Sequence, residues 1–184
     1  MADKDDSDWV MTPVFRVSFP HVFKATRPKG SDKDKFTLSM LFDDDADLSK
    51  LKKAATAAVK EKWGDKPPKK LKTPFLDAGD YDYEGYEDGH ALVRASSIQK
   101  PGVVDQNVDP IIEESEFYPG CYARAKVRAF TYDIEGNRGV SFGLGNIQKV
   151  KDGERLGGHS KPEDDFEAVG DDDMGDESAD SLFG

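Results

Sequence analysis

Little in this 184-residue sequence favours chemistry on a substrate. It holds one cysteine, Cys121, so no internal disulfide can form, which fits a reducing cytosol. His21, His90 and His159 lie far apart in the chain, and with a single cysteine no zinc-ligand spacing exists. There is no Gly-Lys-Ser/Thr phosphate loop, and Gly143-Leu144-Gly145 lacks the further glycine and helix of a dinucleotide site. Asp43, Asp44 and Asp45 read as a helix-capping loop rather than a magnesium site. Asp80, Asp82 and Glu84 make a fragment of a calcium loop without its spaced terminal Glu. No apolar run approaches the roughly 20 residues that span a bilayer, and the N-terminus lacks the basic-then-apolar order of a signal peptide. The expectation is a non-enzymatic cytoplasmic protein with no cofactor, no metal and no membrane contact.

Positive charge also looks scarce, with 26 Lys and Arg against 37 Asp and Glu, a net of −11. Such a balance ordinarily argues against phosphate as a partner. The distribution reverses that argument. Residues 163–184 hold ten acids and no Lys or Arg, and residues 1–8 hold four Asp and one Lys. Between them, residues 9–162 carry 25 basic and 23 acidic side chains, a net of +2. About 150 residues is a normal size for one domain with a real core. We expect a flexible N-terminus over 1–10, one domain over 11–158 and a disordered acidic tail over 159–184.

Within the domain, segment 14–19 (VFRVSF) alternates as a half-buried strand, and 36–42 (FTLSMLF) reads as a second. The stretch 24–35 between them reads as a basic loop. Leu48, Leu51, Ala55, Val59 and Trp63 form one apolar stripe at helical spacing. Asp45 or Asp47 is placed to cap that helix, and Gly64 to stop it. Its opposite face carries Lys50, Lys52, Lys53, Lys60 and Lys62, read as a solvated face. Residues 77–88 are acidic and aromatic and read as a loop. Segment 91–96 (ALVRAS) is a further strand, Val103-Val104 a short edge strand, and 109–120 irregular with one helical turn. A long hairpin follows: a strand over 121–132, a turn over 133–139 and a return over 140–150, with Gly143 and Gly145 marking a bulge or barrel corner. Five or six strands with one inserted helix make a mainly β chain, a small closed or partly open barrel.

The strand at 121–132 carries the chemistry. Side chains of a strand alternate between faces. One face holds Cys121, Ala123, Ala125, Val127, Ala129 and Thr131, small enough for a barrel interior. The other holds Tyr122, Arg124, Lys126, Arg128, Phe130 and Tyr132, three cations among three aromatics without an acid. Cations along an extended track neutralise phosphates, and rings stack on unpaired bases, which is what single-stranded nucleic acid requires. A solvated face with cross-strand aromatic pairs is the plainer reading. Arg94 extends the patch, followed by Arg16, Lys24, Lys35, Lys100 and Arg138.

Four segments carry a family resemblance: 16–23 (RVSFPHVF), 54–65 (AATAAVKEKWGD), 116–121 (EFYPGC) and 139–150 (GVSFGLGNIQKV). The chain resembles the phage-encoded single-stranded DNA-binding proteins, and the matching segments span most of residues 14–158. The resemblance implies an OB-fold and a role in coating single strands during phage replication, recombination or repair, in the host cytoplasm. It also implies that the acidic tail recruits replication or recombination proteins through Asp171, Asp172, Asp173, Asp176, Glu177, Asp180, Leu182 and Phe183. Gly184 after Phe183 departs from a tail that ends on its aromatic. Duplex DNA and a homodimer stay open as further partners. The competing reading is an acidic interaction protein, a DNA mimic or scaffold without DNA affinity, working through residues 77–88 and the tail.

Overall fold

The computed structural model describes residues 8–28, 31–157 and 168–169. Eight strands join in one sheet: β1 (Trp9–Met11), β2 (Phe15–Thr26), β3 (Lys35–Phe42), β4 (Leu76–Asp77), β5 (Ala91–Ser97), β6 (Val103–Val104), β7 (Tyr122–Ile134) and β8 (Asn137–Lys151). One helix, α1 (Ser49–Trp63), is inserted between β3 and β4. Five strands close a circuit. β2 pairs with β3 and β3 with β5, both antiparallel. β5 pairs parallel with β8, β8 antiparallel with β7, and β7 returns to β2. This is the five-stranded Greek-key barrel of the OB-fold. Short strands β1, β4 and β6 attach to β7, β5 and β8.

Alternation fills the interior. Ala123, Ala125 and Val127 of β7 are buried, as are Phe142, Leu144 and Ile147 of β8 and Val93 and Ala95 of β5. Phe15, Phe42, Phe117 and Phe142 are fully enclosed, and truncating any of them to Ala costs about 3–5 kcal/mol. Leu51 and Ala55 of α1 join the same cluster, with Leu48 and Val59 packed at its margin. Gly64 ends the helix at φ 63°, its N–H donating to the Lys60 carbonyl, a conformation that costs glycine little.

Several boundaries differ from the sequence expectation. Trp9 and Val10 are not part of a flexible N-terminus but lie in β1, paired with Arg128 and Val127. A three-residue strand has too few positions to show periodicity, and only the β7 edge gives it a partner. The basic loop is shorter than 24–35, because β2 runs on to Thr26 and β3 begins at Lys35. The hairpin turn is Glu135-Gly136, not 133–139. Their φ values of 52° and 83° give a two-residue connection whose twist matches that of the flanking strands. The helix N-cap is Leu48 rather than Asp45 or Asp47. Asp47 instead accepts from the Ser49 N–H at 3.0 Å, and that bonding to Ser49 holds its carboxyl below the usual range. Of the two glycines expected to mark a bulge or corner, Gly145 lies where the β7–β8 register shifts between Ala125 and Val127, whereas Gly143 pairs in regular register with Arg128.

Candidate nucleic-acid interface

The outer faces of the barrel strands line up in register. Trp9 lies beside Arg128, Arg128 beside Gly143, Gly143 beside Ser96, Ser96 beside Thr37, and Thr37 beside His21. At the usual strand spacing this row crosses about 24 Å of surface. Two depressions run along it. The first, about 610 Å³, is lined by Phe19, His21, Lys35, Thr37, Arg94, Ser96 and Ser141 among others, with Tyr83 at its rim. The second, about 500 Å³, is lined by Trp9, Ile98, Lys100, Lys126 and Gly145 among others. Among the described residues no carboxylate lines either one. In circuit order β3 and β5 are the second and third barrel strands, and that face together with adjoining loops is where OB-folds hold oligonucleotides.

Three aromatics project into this groove. Phe19 is 44% exposed, and its backbone stands at φ 42° in a kink of β2, where the pairing with β3 slips between Ser18 and His21. A bulky residue in that region is strained, and here the strain turns the ring out beside Tyr83, 5.0 Å between centroids and edge-on. Tyr83 is 51% exposed. It rests on Tyr86, whose hydroxyl is 2.7 Å from Ser18 Oγ; burial pushes the Tyr86 phenol above its ordinary pKa. Trp9 lies over Gly145, where an added Cβ would stand 2.9 Å from both the indole ring and the Lys126 carbonyl. Arg128 sits over the same indole at 5.6 Å, within cation–π range. Gly143, between Arg128 and Ser96, leaves the groove floor bare; a Cβ there would make only an ordinary 3.6 Å contact.

Six of the twelve residues expected to bind DNA fall in or beside this groove. Lys35, Arg94, Lys100 and Lys126 line it. Arg128 stands in the central row, and Phe130, exposed, pairs with the lining residue Ser141. Arg94 also sits over the Tyr81 ring at 5.0 Å. The other six do not join them. Arg16 donates to the Gly120 carbonyl at 3.3 Å and the Glu154 carbonyl at 2.6 Å. Tyr122 is covered by Arg16 and Lys151 and lies against Gly153. Arg124 donates to Gln148 at 2.9 Å. Arg138 pairs with Asp133 at the hairpin arm, 3.1 Å apart. The Tyr132 hydroxyl packs on Gly139. Lys24 is exposed on β2 and lines neither depression. The tail residues Asp171, Asp172, Asp173, Asp176, Glu177, Asp180, Leu182 and Phe183 lie outside the described residues.

Trp9, Phe19 and Tyr83 are absent from the sequence-derived set. Trp9 and Tyr83 stand in contexts without a readable period, a polar N-terminus and a glycine-rich loop, whereas Phe19 ends the alternation over 14–19, which places it on the same face as Phe15 and Val17. The one available signal was an exposed aromatic next to Gly or Pro, as in Phe19-Pro20 and Tyr83-Glu84-Gly85.

Fold and groove together define an OB-fold protein with a cationic, aromatic-lined outer face. The family described as Enterobacter phage Enc34, ssDNA-binding protein, matches residues 9–178, and the chain belongs to that family. Putative protein p50 of Acyrthosiphon pisum secondary endosymbiont phage 1 is 28% identical over 155 residues, covering 78% of this chain and 83% of that protein. Among solved structures, the single-stranded DNA-binding protein from bacteriophage Enc34 in complex with ssDNA superposes with a TM-score of 0.68 at 20% identity, over 82% of this chain and 90% of that one. The gp2.5 single-stranded DNA-binding protein of bacteriophage T7 superposes at 0.55 and 16% identity, over 85% and 91%. These likenesses concern the fold.

Proposed function

We propose that this chain binds single-stranded DNA in the groove along β3, β5 and β8, largely without regard to sequence. The observation that carries the reading is the register row from Trp9 to His21, beside which two depressions hold Lys35, Arg94, Lys100 and Lys126 with the rings of Trp9, Phe19 and Tyr83, and no carboxylate among the described residues lines either depression. Lys35, Arg94, Lys100, Lys126 and Arg128 neutralise phosphates, and Trp9, Phe19 and Tyr83 stack on bases. The setting is phage DNA replication, recombination or repair.

The acidic tail competes for the same groove and, once DNA displaces it, recruits replication or recombination proteins through Leu182 and Phe183. Support comes from where the tail begins. The Gly157 N–H donates to Glu84 at 2.8 Å, and Glu84 adjoins the groove-lining Tyr83. The six residues from there to Glu163 reach at most about 20 Å, so the run of ten acids starts within that distance of this lip of the groove.

The test is salt-dependent binding to oligo(dT) with the full chain and with residues 163–184 removed. The full chain binds oligo(dT) with an affinity that falls as salt rises, and removal of the tail tightens binding at low salt. No measurable affinity for oligo(dT) would sink the reading, and an unchanged affinity in the truncated chain would sink the competition.

A further inference from the structure

Lys35 and Arg94 line the depression beside Tyr83, but the segments that border the groove on its two sides differ in charge. On the β7 side stand Lys126 and Arg128. On the other side lies the segment 77–90, which is rich in acids and has no Lys or Arg. Asp80, Asp82, Glu84, Glu87 and Asp88 of that segment all reach solvent. The segment is well seated on the barrel. Ala78 N–H donates to the His90 carbonyl, Asp77 accepts from the N–H groups of Gly79 and Gly89, and Tyr81 and Tyr83 both pack edge-on against Tyr86. Tyr83 thus lines the groove, flanked in sequence by Asp82 and Glu84, while the carboxylates of Asp80, Asp82, Glu87 and Asp88 lie on exposed residues. Aromatic and acid are presented at the same lip.

We propose that this acidic-aromatic lip rejects duplex DNA and orients a bound single strand, bases toward Phe19 and Tyr83 and phosphates toward Lys126 and Arg128. The inference rests on the groove being a single-strand site. A single strand has one backbone, which can follow the cationic lip while its bases reach the rings on the other. Duplex DNA carries two backbones, at one negative charge per roughly 1.7 Å of axis, and keeps its base faces stacked. With one backbone on the cations, the other falls across the carboxylates, and the rings find no base to stack on. Like charges brought together in this way act against the wrong partner more than they aid the right one.

The experiment compares the full-length chain with the combined variant Asp80→Asn, Asp82→Asn, Glu87→Gln, on oligo(dT) and on a duplex of matched length at low and high salt. None of the three side chains is buried, and the melting temperature reports that folding is intact. Duplex affinity should rise on the order of tenfold at low salt and single-strand affinity much less, with the difference closing at high salt as the charges are screened. An equal rise for both DNAs would reduce the lip to a general charge effect and overturn the proposal, as would an unchanged duplex affinity. Tyr83→Ala, with the acids intact, should lower single-strand affinity and leave duplex affinity unchanged; equal losses on both DNAs would overturn the assigned orientation. Failure of the unaltered chain to bind oligo(dT) would instead strike the groove reading itself.

Discussion

The two ends of β7's outer face carry the same kinds of side chain in the same alternation. At one end, Tyr122 faces a segment that folds back over the barrel, and the exposed Arg124 donates to Gln148 of the adjoining strand. Tyr122 lies between Arg16 and Lys151, Arg16 holds the Glu154 carbonyl, and Leu156 is buried with its N–H on the Pro119 carbonyl. At the other end, Lys126 and Arg128 pair with β1 and Lys126 lines the groove, while Arg128 and Phe130 also border a depression shared with Asp8 and Glu61. Cations and rings in alternation do not by themselves make a binding face. Whether a second segment covers them decides between a latch and a ligand surface. At the first end Arg16, Lys151 and Gly153 close over Tyr122 and Gln148 holds Arg124; at the second, Arg128 rests on Trp9 and Lys126 lines the groove.

The sharpest way to break this comparison is to strip cations from each end separately. Arg94→Ala, Lys126→Ala and Arg128→Ala together should cost on the order of a hundredfold in oligo(dT) affinity at low salt, and the salt slope should fall by about 0.7 for each phosphate left without its cation. Arg124→Ala, at the covered end, should leave both quantities unchanged. Equal losses from the two ends would erase the distinction between latch and groove.

Stacking comes next in size. Trp9→Ala, Phe19→Ala or Tyr83→Ala should each weaken oligo(dT) binding by about 1–3 kcal/mol, the worth of one stacked base, with little change in salt slope. Gly143→Val fills the bare floor between Arg128 and Ser96 and should lower affinity on the order of tenfold while the melting temperature holds, since the added Cβ meets only an ordinary van der Waals neighbour. If affinity survives, the strand does not cross the row at Gly143.

Arg16→Ala should do the reverse, destabilising without touching DNA. Hydrogen bonds from a charged donor contribute about 1.5–3 kcal/mol, and for a chain of this size each kcal/mol moves the melting temperature by about 2–4 °C. A drop in melting temperature with unchanged oligo(dT) affinity keeps Arg16 in the latch.

These assignments also show where a sequence can and cannot be read. Alternation put Ala123, Ala125 and Val127 inside and Arg124, Lys126 and Arg128 outside, because period-two geometry is local. It could not separate Arg124 from Arg128. The groups that occupy one end lie far along the chain: the Glu154 carbonyl is 138 residues from Arg16. The β2–β3–β5 meander and the long hairpin were legible for the same local reason, whereas β1 was not, since Trp9 becomes a strand residue only on pairing with Arg128. Phe19 escaped because the alternation over 14–19 puts it on the buried face of Phe15 and Val17, and only the kink after Ser18 turns it out.

The smallest effect tests the latch at its exposed rim. Lys149 Nζ lies 2.6 Å from Asp152, and the Tyr118 hydroxyl donates to the same carboxylate at 2.9 Å. The Lys149 hydrogen bond, then that of Tyr118, holds the Asp152 carboxyl below its ordinary value. A depressed carboxyl stabilises the fold above its unfolded pKa, and that stability is lost as pH falls through the folded value; the window therefore lies below about pH 4. For Lys149, burial alone would lower the ammonium, but its bond and charge pairing with Asp152 outweigh burial and raise it, so its share persists until pH climbs past the ordinary lysine range. Asp152→Asn should flatten the acid limb and speed amide exchange at Gly153 and Leu156. The loss should be slight, because Asp152 is 77% exposed to screening solvent and Lys149 keeps the Tyr118 ring 5.2 Å away. Oligo(dT) affinity should not move; a loss approaching that of the groove cations would mean that the latch end of β7 also meets DNA.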